Sequence, residues 1–156
     1  INVVWESGLQ PQDPLTFAPK WDEMTGMKTN IVDMAYVDLY TKQMQDHLSG
    51  GGAYDVITYA PAWLIDFVNA GVLEPLNPYM DKYMNKADLE DYLPAYGAEG
   101  YGHLGDTWYG LPDDGDVADL EGKQVGARGA GDGGAALPQP AAEGGQVGAI
   151  GRQRVG

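Results

Sequence analysis

Apolar and polar positions along the chain up to Leu76 follow two rhythms, and the switches between them lay out the elements. Residues 1–5 (INVVW) are a continuous β-branched and aromatic run closed by Glu6, Ser7 and Gly8, the pattern of a buried strand followed by a turn. Leu15, Phe17, Ala18, Trp21 and Met24 then recur at the spacing of one helical face, with Gly26 where a left-handed residue would end the helix. Residues 27–36 (MKTNIVDMAY) predict a second strand. Asp38 is placed to cap a second helix striped by Leu39, Tyr40, Met44 and Leu48 and stopped by Gly50, Gly51 and Gly52. Residues 54–59 (YDVITY) predict a third strand. Pro61 suits the first turn of a third helix that turns Trp63, Leu64, Phe67 and Val68 inward and ends at Gly71. Two short helical stretches at 78–84 and 88–96 follow, then a glycine-punctuated loop. A last strand at 108–112 (WYGLP) delivers Asp113, Asp114 and Asp116 at its end.

Strands alternating with helices of this length require right-handed crossovers, so the pattern predicts an α/β lobe with a mostly parallel sheet and helices on both faces. In an open parallel sheet the crevice outside the carboxyl ends of the strands receives ligands. Trp5, Tyr36 and Tyr59 fall at predicted strand ends, and Trp63 lies one turn beyond the third. Sugars offer C–H faces that stack on Trp and Tyr, and hydroxyls that bond to Asp, Glu and backbone. The competing reading of each ring alone is a core aromatic; four at matched edges favour a ligand-facing set.

Composition divides the chain in two. All 16 aromatic residues lie between Trp5 and Tyr109, and residues 1–120 carry 20 Asp and Glu against five Lys and no Arg. The 36 residues from Glu121 to Gly156 contain no aromatic and 11 glycines, with Lys123, Arg128, Arg152 and Arg154 opposing three acids. That tail has too little apolar bulk to offset the entropy of ordering it. The acidic head repels phosphates and anionic lipid, which excludes nucleic acid as a partner. With no cysteine there is no disulfide framework, thiol nucleophile or Cys-based zinc site. No apolar run approaches the roughly 20 residues that span a bilayer.

The chemical motifs are weak. Gly100, Gly102 and Gly105 spell a dinucleotide fingerprint, but the residues that follow read as loop and strand rather than the helix that would receive a pyrophosphate. Gly129, Gly131 and Gly134 repeat the spelling inside a glycine-rich tail, where it carries no weight. Asp113, Asp114 and Asp116 lack the glycine and glutamate of a calcium loop; a solvated turn or ligand-hydroxyl binding fits them better. His47 and His103 stand in no metalloprotease or Ser-His-Asp setting. No cofactor and no metal are expected.

Residues 54–80 (YDVITYAPAWLIDFVNAGVLEPLNPYM) and 108–117 (WYGLPDDGDV), with INVVWE and the helix ending Thr25-Gly26 ahead of them, resemble the family 1 extracellular solute-binding proteins, the sugar-binding receptors of ABC importers. The resemblance covers everything before Ala118. It implies the N-terminal lobe of a type II periplasmic-binding-protein fold, a two-lobed clamp that closes on a sugar or polyol. It further implies ABC permease subunits as partners, a periplasmic or extracellular location after removal of a signal peptide, and no enzymatic activity. Ligand-facing positions carried over from the family are Glu6, Tyr36, Tyr59, Trp63, Asp114 and Asp116. Such proteins continue with an apolar strand and a second lobe; here the resemblance stops at Val117. The chain is therefore expected to divide into a 1–117 lobe, truncated before its partner lobe, and a 118–156 tail without stable packing. The tail's Gly, Ala, Pro and Arg bias resembles GC-rich DNA translated in a shifted frame, with a spacer as the rival explanation. Two other functions stay open at this stage: a glycan-active enzyme using Asp114 and Asp116, and an α/β interaction domain without a small ligand.

Overall fold

The computed structural model describes residues 1–8, 11–91, 101–113 and 151–152. Within them β1 (Asn2–Glu6), α1 (Gln12–Thr25), β2 (Asn30–Met34), α2 (Tyr36–Leu48), β3 (Val56–Ile57) and α3 (Leu64–Ala70) follow in the alternation the sequence predicts. α4 (Asn77–Tyr83), α5 (Lys86–Glu90), the pair β4 (His103–Leu104) and β5 (Thr107–Trp108), and β6 (Gly151–Arg152) complete it. The main sheet has the order β2-β1-β3-β6. β1 runs parallel to β2 in register from Asn2 opposite Asn30 to Glu6 opposite Met34, and parallel to β3 with Val4 opposite Ile57. The lobe is thus α/β with a parallel central sheet and helices on both faces.

The two faces are filled unequally. Side chains alternate across a strand, so Val4, Ile57 and Tyr59 turn to one face, where Leu39, Leu64, Phe67, Val72 and Leu73 complete the core. Val3, Trp5 and Val56 turn to the other and, with Phe17 and Trp21 of α1, line an apolar groove of about 600 Å³. The helical spacing of Leu15, Phe17, Trp21 and Met24 predicts an inward face, yet α1 buries no residue and these four side chains are 45–73% exposed. Periodicity sets which side of a helix is apolar; it does not supply a second layer to cover it.

The helix ends are as the glycines require. Gly26 and Gly71 adopt left-handed φ of 70° and 76° after α1 and α3, a conformation that glycine enters without a Cβ clash. Pro61 opens a short 3₁₀ turn, Pro61–Trp63, that runs into α3. α2 departs from expectation: it starts at Tyr36 with Ala35 as its extended N-cap, and Asp38 lies inside the first turn, donating its backbone N–H to the Ala35 carbonyl at 2.9 Å. The apolar stripe of α2 is also broken, because Gln43 is fully buried while Leu48 is 70% exposed.

The predicted strand 108–112 is corrected as well. β5 holds only Thr107–Trp108 and pairs antiparallel with β4 across a Gly105-Asp106 turn, away from the main sheet. Asn77 fixes this hairpin against the start of α4, accepting from the Trp108 N–H at 2.8 Å and donating to the Asp106 carbonyl at 2.8 Å. Two glycines of the 100–105 spelling, Gly102 and Gly105, are used here too. Gly102 has φ 140°, and a Cβ on it would lie 2.6 Å from the Gly110 carbonyl oxygen. Only glycine allows that approach, through which the Gly102 carbonyl accepts from Tyr109 and Gly110. In the tail, where no element is expected, Gly151–Arg152 pairs antiparallel with Val56–Ile57. Backbone pairing on a strand edge needs no apolar side chain.

The α1–β2 turn carries a pH-dependent clamp. Asp22 accepts from the Thr29 hydroxyl at 2.6 Å and the Thr29 N–H at 2.9 Å, and the Thr29 hydroxyl is the main cause holding its carboxyl below the usual range. A depressed acid stabilises the fold above its unfolded pKa and loses that contribution as pH falls through the folded one. Asp22→Asn is therefore expected to lower stability at neutral pH and to narrow its gap to wild type below about pH 4, as read from thermal melts across pH.

Candidate functional site

The carboxyl edge of β1 and β2 meets the first turns of α2 and α3 at one corner of the lobe. β2 ends at Met34, so Tyr36 stands as the first residue of α2 rather than the last of a strand. Its ring stacks on Trp63, centroid to centroid 5.3 Å with an interplanar angle of 29°. Tyr40 meets Trp63 edge-on at 5.6 Å and stacks on Phe67 at 5.4 Å, and Phe67 meets Tyr59 edge-on at 6.0 Å. The rings form one chain from the half-buried Tyr36–Trp63 pair down to the buried Phe67 and Tyr59. Phe67 and Val68 anchor the far end of α3 through the Val72 and Gly71 N–H groups.

Of the residues singled out in the sequence, Tyr36 and Trp63 come together as a stacked pair, and Glu6 is near enough for its charge to add to the burial that raises the Tyr36 pKa. Tyr59 sits deeper, 2% exposed, its hydroxyl making no hydrogen bond among the described residues and its pKa pushed up by burial. Asp114 and Asp116 lie outside the described residues. Trp5, the other edge aromatic, is buried on the α1 side of the sheet and lines the groove there.

Sequence reasoning missed three polar groups at this corner. The Ser7 hydroxyl donates to Asp33, while the Ser7 N–H donates to the Met34 carbonyl at 2.8 Å, tying the loop after β1 to the end of β2. The Tyr40 hydroxyl donates to Asp66 at 3.1 Å, one turn beyond Trp63; burial first, then this carboxylate, raises the Tyr40 pKa. Gln43 donates from Nε2 to the Thr58 carbonyl at 2.9 Å, and its Oε1 is buried without a partner among the described residues. Asp33 and Asp66 were legible only as polar residues interrupting apolar runs, and Gln43 as one polar position on an apolar stripe.

His47 meets the Ala70 carbonyl at 3.1 Å and joins α2 to α3. His103 meets the Gly105 carbonyl at 2.9 Å inside the β4–β5 hairpin. Among the described residues no group of His, Asp and Glu is arranged to hold a metal ion, and no helix is long and apolar enough to cross a membrane.

A buried hydroxyl without a partner costs about 1–3 kcal/mol relative to a satisfied one. Tyr59→Phe is therefore expected to leave stability unchanged or raise it by up to about 1 kcal/mol in urea unfolding. A loss larger than that would reveal a bonded partner for the hydroxyl.

Comparison with known proteins covers most of this architecture. The residue pattern of the family described as bacterial extracellular solute-binding protein matches residues 12–152, past Val117, where the resemblance read from the sequence stops. No curated protein sequence matches the chain. Among solved structures it is similar to an ABC transporter solute-binding protein from Agrobacterium radiobacter in complex with ribitol, at 19% identity and a TM-score of 0.64 over 72% of this chain and 28% of that one. It is similar to the maltotriose binding protein of Thermus thermophilus bound with maltotriose, at 24% identity and a TM-score of 0.57 over 70% of this chain and 28% of that one. An Agrobacterium vitis solute-binding protein with bound D-mannitol matches at 19% identity and a TM-score of 0.60 over 72% and 26% of the two chains. At these identities the likeness is one of fold, that of a type II periplasmic binding protein, and the chain spans little more than a quarter of the length of these structures.

Proposed function

The chain belongs to the bacterial extracellular solute-binding proteins, and from that premise we propose that it is the solute-capturing component of an ABC importer, taking a sugar or polyol against the aromatic corner at the carboxyl edge of the sheet. The observation that carries this reading is the Tyr36–Trp63 stack, 5.3 Å between centroids, half-buried where β1, α2 and α3 converge. An aromatic wall with carboxylates beside it suits a ligand that has apolar C–H faces and many hydroxyls. In this reading Glu6, Tyr36 and Trp63 form the wall, with Tyr59 beneath it, and Asp114 and Asp116, which lie outside the described residues, are further ligand contacts. The lobe comprises residues 1–117, with Gly151–Arg152 of the segment that follows paired onto its sheet edge. The protein performs no catalysis, acts outside the cytoplasm and passes its solute to membrane permease subunits. By itself this single wall binds weakly.

The test is an NMR titration of the chain with mono- and disaccharides and with alditols such as ribitol and mannitol. Saturable shifts at the β1, α2 and α3 amides are expected. Trp63→Ala should weaken them roughly tenfold, the value of losing one aromatic stacking partner, while the circular dichroism of the fold persists. Shifts elsewhere, or none with any sugar or polyol, would overturn the reading.

A further inference from the structure

Two methionines outside the proposed sugar wall border open space rather than core. Met80 and Met84 are one helical turn apart, the Met84 N–H donating to the Met80 carbonyl at 2.9 Å where α4 ends, so their side chains lie on one face. Both are half-buried, and together with Asp81 and Trp108 they line a cavity of about 190 Å³ between α4 and the β4–β5 hairpin. Met34, by contrast, belongs to the hydrophobic core and Met44 packs against it; Met80 and Met84 are in neither group. Trp108 is fixed beside them from both sides of its backbone. Its N–H donates to Asn77 at 2.8 Å, its carbonyl accepts from the Leu76 N–H at 2.7 Å, and the His103 ring packs on its indole at 4.6 Å.

Size and donor chemistry narrow what this cavity can take. Pockets for small organic ligands run to about 300–1,000 Å³, so about 190 Å³ suits an ion better than a sugar. Hard cations such as Ca²⁺ need six to eight oxygen ligands, and the lining cannot supply them. The Asn77 amide is engaged at both ends by the hairpin, and the Asn85 side chain caps the Ala87 N–H at 3.2 Å. That leaves the Asp81 carboxylate and two thioethers. Thioethers are soft ligands that select soft ions such as Cu(I) over Zn²⁺, Ca²⁺ or Mg²⁺, and an indole face attracts a cation. No lysine or arginine lines the cavity to oppose a positive charge. The sequence patterns that argue against a metal here are those of histidine, cysteine and carboxylate sites, and they do not address thioethers.

The geometry points to a binding site for a soft monovalent metal ion, Cu(I) or its analogue Ag(I). Met80 and Met84 supply the two sulfur ligands, the Trp108 indole covers the ion, and Asp81 offsets its charge. The site is independent of the sugar wall, and neither reading depends on the other.

The experiment follows the six methionine methyl groups by NMR, with methyl-labelled methionine in the 156-residue chain titrated with silver nitrate in chloride-free buffer. The Met80 and Met84 methyls are expected to shift together and saturate at one ion per chain, while the Trp108 indole N–H moves with them. Cu(I) held reduced by ascorbate should give the same pattern, and Ca²⁺ and Zn²⁺ should leave the methyl signals in place. Met80→Leu with Met84→Leu keeps apolar volume and should weaken Ag(I) binding at least about tenfold with the circular dichroism unchanged. Trp108→Phe should abolish the Ag(I)-dependent quenching of tryptophan emission. Met24 and Met27, exposed at and beyond the end of α1, serve as internal controls. Shifts at those two in place of Met80 and Met84, no methyl shift at all, or undiminished Ag(I) affinity in the folded double variant would overturn the assignment.

Discussion

Replacing Phe67 by alanine is expected to lower the unfolding free energy by about 3–5 kcal/mol, the range for deleting a buried aromatic ring from a packed core. Phe67 is fully buried, and its ring contacts Tyr40, Tyr59 and Trp63 with centroids 5.4, 6.0 and 6.1 Å away. It therefore joins the core to the proposed binding wall. Small domains have only about 5–15 kcal/mol of stability in total, so the variant should melt at much lower urea and lose most near-ultraviolet dichroism from the aromatic chain. Phe67→Leu, which keeps apolar volume, should cost much less. A Phe67→Ala variant as stable as the parent would show that α3 does not pack on the sheet as described.

Much of this arrangement was legible because it depends on local rules. Gly26, Gly71 and Pro61 punctuate helices through backbone sterics, and their positions in the sequence are their positions in the fold. The alternation of β-branched runs with helical spacing gave the parallel order of β1, β2 and β3, since parallel neighbours need a crossover between them. What was not legible depends on contacts distant in sequence. Asp38 looked like a cap, but the chain turns into α2 at Ala35, and Tyr36 inside that first turn stacks on Trp63. Residues 108–112 have the composition of a sheet strand, yet Asn77 and the close approach at Gly102 hold Trp108 in a separate hairpin. Gln43 broke an apolar stripe for a reason no window reveals: its amide bonds the carbonyl at the end of β3.

The aromatic corner was legible in kind and incomplete in detail. Tyr36 and Trp63 were placed at one edge from strand ends alone, and the structure brings them into contact. Tyr59, two residues past the end of β3, lies in the core at 2% exposure with Val4 and Ile57 rather than facing out at the strand edge. The Ser7–Asp33 and Tyr40–Asp66 bonds, each spanning 26 positions, were not legible because no local window brings such partners together.

The second large effect concerns affinity. The 156-residue chain alone is expected to hold the proposed sugar in the millimolar range, roughly a thousandfold more weakly than a micromolar two-walled receptor. Binding pockets cover about 70–90% of a small ligand, whereas the described corner offers one wall. The Tyr36 and Trp63 rings occupy each other's inner faces at 5.3 Å, so each offers at most its outer face to a sugar ring. The opposite face of that sugar keeps its water, and its hydroxyls there gain no protein partner. If about 4 kcal/mol of stacking and hydrogen bonding is forgone, the dissociation constant rises about a thousandfold. The solved structures that share this fold are far longer, this chain spanning 28% of the ribitol and maltotriose binding proteins. Calorimetry on the purified chain with the sugar that gives the largest NMR shifts checks the expectation: heats too small to fit below millimolar concentrations agree with it. Saturation at micromolar sugar would mean that one wall suffices and that affinity in this fold does not require enclosure.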